Sequence, residues 1–465
     1  MLPKPAHGQL RIWRRLTLGT SRSQPAPMKQ GGLMEAFLEK QFKLGENGVS
    51  KRTEIMAGLT TFLTMAYIIF VNPSILAKAG MDQNAVFVAT CLAAAFASIL
   101  MGFVANYPIA LAPGMGLNAY FAFVVAPKFG WQAALGAVFL SGILFVILSA
   151  TPVREMIVNA IPRSLKMAIS AGIGLFLAMI GMQACGLVVD HPATLVTHGD
   201  FTKPALLLAA LGLLIMLAMD HYKVPGGIII GILAVTAIAM VLGLQKFGGI
   251  ASMPPSIAPV LFKLDIGAAL SIGLVTVVFA FLFVDLFDNT GTLIGIAHRG
   301  GFMNKDGTIP RLGQALMVDS TAAVASGLLG TSTTTSYIES AAGVKAGGRT
   351  GLTAVVVGLL FLLALFFAPL AGSIPAFATA PALIFVACLM ARGLTEVDWE
   401  DASEYVPAML TALTMPFTFS IADGIAIGFI SFVAIKIACG RVGEVKPIIG
   451  LLAALFVVKY AIVGG

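Results

Sequence analysis

Charge is what this sequence has least of. Asp, Glu, Lys and Arg make up 11% of its 465 residues, where a soluble domain carries about a quarter. Hydrophobic residues reach 58%. The balance excludes an ordinary soluble enzyme or binding module and points to a polytopic membrane protein. Histidine is scarce as well. His7, His191, His198, His221 and His298 all fall in the N-terminal tail or at loops, so a proton relay inside a span would need carboxylates instead of imidazole. The four cysteines, Cys91, Cys185, Cys388 and Cys439, lie in or at the ends of apolar runs. With no pairing or zinc spacing, they read as small buried residues. No Walker loop, dinucleotide fingerprint, zinc spacing or hydrolase elbow is present. ATP-driven pumping and membrane enzymology therefore have no residues to stand on, and no cofactor or metal is called for.

What charge there is lies unevenly. The net charge is +7, and most of the excess sits at Lys4, Arg11, Arg14, Arg15, Arg22, Lys29, Lys40, Lys43, Lys51 and Arg52. This is not a nucleic-acid signature; a basic segment before the first span marks the cytoplasmic side. Residues 1–33 are polar and contain Pro and Arg, which reads as disorder. No apolar segment with a cleavage site precedes the first span, so no cleaved signal peptide is expected.

Apolar runs long enough to cross a bilayer fall near 55–75, 84–104, 109–126, 131–151, 165–187, 204–220, 226–244, 268–290, 315–330, 331–345, 350–371, 376–393, 404–420 and 421–439. A fifteenth run, 447–463, either crosses or lies along the membrane. With the N-terminus inside, the cytoplasmic loops carry Arg154, Arg163, Lys223, Arg299, Lys305, Arg311, Lys345, Arg349, Arg441 and Lys446. The outer loops carry only Lys78, Lys128, Lys203, Lys246 and Lys263, as the positive-inside rule expects. The third and tenth runs are poor spans, "NYPIALAPGMGLNAYF" and "GTSTTTSYIESAAG", and irregular backbone is tolerated at membrane depth only where protein or water covers it.

Four weak internal matches occur in the same order in both halves: "GLTTFLTMAYIIFVN" with "GLVTVVFAFLFVDLF", "IPRSLKMAISAGIGLF" with "IPAFATAPALIFVA", "PALLLAAL" with "PAMLTALT", and "GIIIGI" with "GIAIGF". Seven spans separate the copies, an odd number, so the halves run oppositely through the membrane. Inverted repeats with interrupted helices at matching positions are the mark of a secondary transporter whose site lies at the breaks.

Three carboxylates stand where lipid or core is expected. Asp285 and Asp288, in "VDLFDNTGT", share a helix face at i and i+3, and embedding such groups costs at least about 2.5 kcal/mol each. Alternatively, the span ends earlier and both meet water, or one of them bonds a neighbouring helix end. Glu339, in the hydroxyl-rich "TSTTTSYIESAAGV" with Thr335 and Ser336, suits a ligand contact or a helix cap. Asn118 occupies the equivalent break of the first half and suits a ligand or an ordinary cap equally. Asp288, Glu339, Asn118, Thr335 and Ser336 are the candidate substrate-binding residues. Asp285, Asp288 and Glu339 are the candidate proton carriers. Paired carboxylates accept N–H groups from a planar heterocycle, whereas an inorganic anion would want Arg or Lys at the breaks. Asp220, Asp319, Lys166, Arg392 and Asp423 lie near span ends and read as interfacial or structural.

"GLTTFLTMAYIIFVNPSIL", "LAPGMGLNAYFAF", "VDLFDNTGTLIG" and "TSTTTSYIESAAGVKAGGRTGLTA" resemble the AzgA-like purine permeases of the nucleobase:cation symporter-2 (nucleobase–ascorbate transporter) superfamily, over about residues 36 to 440. The resemblance implies an all-α polytopic fold of fourteen spans in two inverted repeats of seven, with short strands in broken spans 3 and 10. It implies a core domain at 51–151 and 251–372, a gate domain at 152–250 and 373–465, and a cytoplasmic tail at 1–50. It implies proton-coupled import of adenine, hypoxanthine or guanine through the inner membrane, often by homodimers. Asp288 and Glu339 would hold the purine, with Asp285 and Asn118 supporting binding or coupling. Uracil- and xanthine-type relatives carry Glu and, four residues on, His where this chain has Asp288 and Thr292, which favours the purine branch. The runner-up readings are a pyrimidine or xanthine carrier, and a sulfate-type anion transporter on the same fold. From a different class come a channel or a non-transporting sensor.

Overall fold

The computed structural model describes residues 33–151, 160–270, 272–302 and 309–463. The basic tail up to Lys29, together with Arg154 and Lys305, lies outside them. Residues Met1–Lys43 form one unit, whose described part is helix α1 (Leu33–Phe42). The second unit, Leu44–Gly465, holds everything that follows.

Ser50 opens the first long helix by accepting the Thr53 N–H at 3.1 Å, the usual way a hydroxyl satisfies an orphan donor. Helix α2 (Lys51–Met65) halts at Ala66–Tyr67 and resumes as α3 (Ile68–Leu76). Helix α4 (Gln83–Leu100), capped by Asp82, ends in a wide π-helical turn. The third apolar run is strand β1 (Leu111–Pro113) followed by the short helix α5 (Met115–Ala119). Then come α6 (Trp131–Ser149) and α7 (Arg163–Ala184), an outlying hairpin of β2 (Val188–His191) and β3 (Leu195–His198), α8 (Pro204–His221) and α9 (Gly227–Val241). The acid-bearing helix is α10 (Ile272–Gly300), followed by α11 (Leu312–Leu329). The tenth run is strand β4 (Thr334–Ser336) and the half-helix α12 (Ser340–Lys345). The chain closes with α13 (Gly351–Ala364), α14 (Ala376–Ala391), α15 (Ala402–Thr418), α16 (Ile421–Ala438) and α17 (Pro447–Val463).

Among the described residues, nine helical stretches are long and apolar enough to cross a membrane, and three shorter apolar ones accompany them. Their outer faces carry exposed Leu214, Leu217, Leu363, Phe417 and Val457, a surface that suits lipid and not water. Two packing groups emerge. Helices α2 and α4 pack on α13, and α6 packs on α11. Helix α7 packs on α14 and α15, and α15 on α16. Helix α17 lies against α16, where the Tyr460 hydroxyl donates to Asp423 at 2.7 Å.

The fold corrects the readings of Asp319, Cys388 and Cys439. Asp319 is not near a helix end. It stands two turns into α11 and is fully buried. Cys388 and Cys439 are exposed, and only Cys91 and Cys185 are buried; all four are free thiols. Lys436, inside an apolar run, is fully buried because Glu404 at 2.6 Å and Glu444 at 2.8 Å compensate its charge. The same corner holds Arg441 against Asp401 at 2.5 Å. The Arg441 guanidinium holds the Asp401 carboxyl well below the usual carboxylate range. This tie therefore persists at neutral pH and is lost only as pH falls through that depressed value.

Glu54 is the tightest link between the two halves of the chain. Buried on α2, its carboxylate accepts the backbone N–H of Arg349 at 2.8 Å, of Thr350 at 3.2 Å and of Thr353 at 3.2 Å, and the Thr353 hydroxyl at 2.6 Å. A carboxylate at a helix N-terminus meets both the free donors and the positive end of the dipole, here those of α13. Glu54→Ala orphans these buried donors, and we expect the ligand-free protein to lose about 3 kcal/mol of stability, read as a lower melting temperature in detergent.

Candidate functional site

The site is built where two chain breaks meet. Strands β1 and β4 pair antiparallel, with Leu111 opposite Ser336, Ala112 opposite Thr335 and Pro113 opposite Thr334. Two more backbone bonds extend the ladder, from Tyr337 N–H to the Ala110 carbonyl at 3.0 Å and from Gly114 N–H to the Thr333 carbonyl at 2.9 Å. A two-stranded ladder leaves outer backbone groups unpaired, and side chains take them. Ser98 of α4 both donates to the Leu111 carbonyl at 3.1 Å and accepts its N–H at 3.0 Å. The Ser340 hydroxyl accepts the Ala110 N–H at 3.0 Å. Asn72 of α3 donates to Thr90 at 2.7 Å and to Thr331 at 2.9 Å, fixing the approach to β4.

Around this frame the expected residues assemble. Glu339 precedes the first residue of α12, but its side chain makes no capping bond; it accepts the Tyr67 hydroxyl at Oε1, 2.6 Å away. Asp288 and Asp285 lie near the middle of the 29-residue α10, so the reading of an early span end does not hold. Asp285 is buried at 1% exposure, while Asp288 is half-buried. Helix α10 packs on β4 and on α12, so the helix that bears Asp288 lies against the elements on either side of Glu339. Asn118 is not a cap: Gly114 begins α5, and the Asn118 Oδ1 accepts the Ser332 hydroxyl across the two breaks. Its Nδ2, fully buried, has no hydrogen-bond partner among the described residues, and neither do the hydroxyls of Thr333, Thr335 and Ser336. Buried polar atoms without partners are rare in native proteins, and such atoms often mark a place for an unseen ligand or water.

Sequence reasoning missed three groups here. Tyr67 lies in a stretch noted only for its repeat, although a lone tyrosine at a break in an apolar span was a readable signal. Tyr337 donates its hydroxyl to the Pro113 carbonyl at 2.6 Å and braces the strand pair. Asn289, beside Asp288, is fully buried with both amide atoms unpartnered among the described residues.

The geometry therefore presents acceptor oxygens with amide and hydroxyl donors, and among the described residues the strands β1 and β4 and helix α5 carry no Lys or Arg. The sequence profile of the Permease family matches residues 52–427. The chain belongs to the Permease family. It is 48% identical over 427 residues to the adenine permease AdeP of Escherichia coli, covering 91% of this chain and 96% of that one. It is 46% identical over 436 residues to the guanine/hypoxanthine permease PbuG of Bacillus subtilis, covering 90% and 98%. The resemblance read from the four motifs is borne out. This permease is a multi-pass membrane protein and not an enzyme. Among solved structures, the transmembrane domain of the cyanobacterial bicarbonate transporter BicA superposes with a TM-score of 0.60 at 17% identity, over 82% of this chain and 97% of that one. At that identity the likeness concerns the fold alone.

Asn118→Ala leaves the Ser332 hydroxyl unpartnered in the permease. We expect a loss of about 1–2 kcal/mol, read by thermal melting of the purified variant, together with weaker transport.

Proposed function

We propose that this permease imports purine nucleobases, adenine, hypoxanthine or guanine, together with protons. The observation that carries the reading is the packing of α10, which bears Asp288, on β4 and on the half-helix that follows Glu339, together with the unpartnered Nδ2 of Asn118 and hydroxyls of Thr335 and Ser336 at the two breaks. A purine offers ring N–H donors to carboxylates and ring nitrogens to amide or hydroxyl donors. Two neighbouring carboxyls in a low-dielectric site need compensation by a proton, a cation or donor N–H groups. Binding purine and proton together supplies it and couples the two fluxes, with Asp285, Asp288 and Glu339 as the proton carriers. The adenine and guanine/hypoxanthine permeases among the relatives support the substrate class.

The architecture proposed with this function has fourteen spans in two inverted repeats. Its core comprises residues 51–151 and 251–372, its gate 152–250 and 373–465, and the site alternates between the two sides as one rocks against the other. The paired breaks and the two packing groups of helices support that division. We place the permease in the inner membrane with a cytoplasmic N-terminus, working as a homodimer.

Uptake of radiolabelled hypoxanthine and adenine by cells lacking their own purine permeases tests the reading. Saturable uptake of one base, abolished by a protonophore and competed by unlabelled purine but not by uracil or sulfate, is expected. Glu339→Gln and Asp288→Asn are each expected to lower it about 100-fold at unchanged membrane abundance, the worth of a hydrogen bond to a charged group. Normal uptake by Glu339→Gln would remove Glu339 from the mechanism.

A further inference from the structure

We infer that Tyr67 is a positioning residue of the site: its hydroxyl holds Oε1 of Glu339 so that Oε2 alone faces the transported ligand. The inference rests on the purine reading of the site and adds to it the device that orients its carboxylate. Tyr67 stands at the interruption between α2 and α3, 1% exposed, with no capping role for its own side chain. Its hydroxyl reaches Glu339 at 2.6 Å across 272 positions of sequence. That bond takes Oε1 and leaves Oε2 outside the contact. Tyr67, Tyr337 and Asp288 are the titratable residues carried by the chain around Glu339 and by the elements packed on it. Tyr337 is committed to the Pro113 carbonyl, and Asp288 is itself an acid. Tyr67 is thus the one of these three that donates to the carboxylate.

The backbone leaves this bond little play. A Cβ placed on Gly343 of α12 would stand 2.0 Å from the Thr61 hydroxyl and 2.7 Å from the Ala57 carbonyl of α2. The half-helix that follows Glu339 is therefore seated directly on the helix that ends just before Tyr67. A free carboxylate rotates about its terminal torsion with a broad preference; a short hydrogen bond from a buried ring removes that freedom before the ligand arrives, and preorganisation of this kind is gained as affinity. It also sets selectivity, because one fixed acceptor matches one N–H direction of a planar base.

The test is a mutant cycle on the full-length purified permease, with equilibrium binding of radiolabelled hypoxanthine and adenine. Tyr67→Phe keeps the ring that fills the space and removes only the donor. We expect the dissociation constant to rise about tenfold, with the ligand-free melting temperature retained. Glu339→Asp draws the carboxyl away from the fixed hydroxyl, so alone it should weaken binding at least as much. Tyr67→Phe added to Glu339→Asp should then change affinity less than about twofold, since coupled residues are not additive. An unchanged affinity for Tyr67→Phe, or the same fold-loss in both backgrounds, overturns the assignment. Should Tyr67→Phe melt early, an undiminished affinity of Glu339→Asp overturns it as well. Wild-type protein that binds neither base would instead defeat the purine reading, and the same cycle run with uracil would then decide the role of Tyr67 separately.

Discussion

A helix broken inside an apolar medium leaves N–H and C=O groups that nothing outside the protein can satisfy. The centre of this permease is one answer to that constraint. The two breaks satisfy each other by pairing β1 with β4, and further backbone groups are taken by the hydroxyls of Ser98 on α4 and Ser340 on α12. Once the strands are paired, the positions of α5 and α12 follow, and with them Asn118 and Glu339. Tyr337 ties the arrangement by bonding the opposite break at Pro113. The site is therefore less a pocket added to a bundle than the place where the bundle resolves its own backbone problem.

A bicarbonate transporter's transmembrane domain shares the fold at 17% identity, so the frame tolerates nearly complete replacement of its side chains. Function resides in what the breaks present. Here they present carboxylates, an amide and hydroxyls, and the described residues at the crossing include no Lys or Arg. That donor and acceptor set suits a neutral heterocycle with N–H groups better than an inorganic anion.

Charge elsewhere in the chain is spent on holding helices together. Glu54 fastens α13 to α2, and Lys436 with Glu404 and Glu444 fastens α15, α16 and the turn after it. Buried ions of this kind cost desolvation unless every partner is present. They lie at helix ends, and the bonds named here do not involve Asp288 or Glu339.

Much of this was legible without coordinates, because composition and spacing are local quantities. The apolar runs gave membrane helices, the Gly-, Pro- and hydroxyl-rich third and tenth runs gave the breaks, and isolated carboxylates in apolar surroundings gave Asp285, Asp288 and Glu339. The strand pair itself was legible only through resemblance, since three residues carry no readable period of two. Asp319 looked peripheral because a helix start is uncertain by a few residues in sequence, and two turns separate an edge from a core. The burial of Lys436 was not legible, because its compensating acids lie on another helix and beyond a turn. Tyr67 at its break was readable as an anomaly, but its partner 272 residues away was not, nor was the unpartnered amide of Asn289, because both are facts of three-dimensional neighbourhood. By itself the sequence determined the medium, the helices, where they break and which acids they carry, each set by the chemistry of residues close along the chain. The tertiary structure alone decided which break meets which, and which oxygen of Glu339 is already taken, because hydrogen bonds across hundreds of residues exist only once packing has brought their ends together.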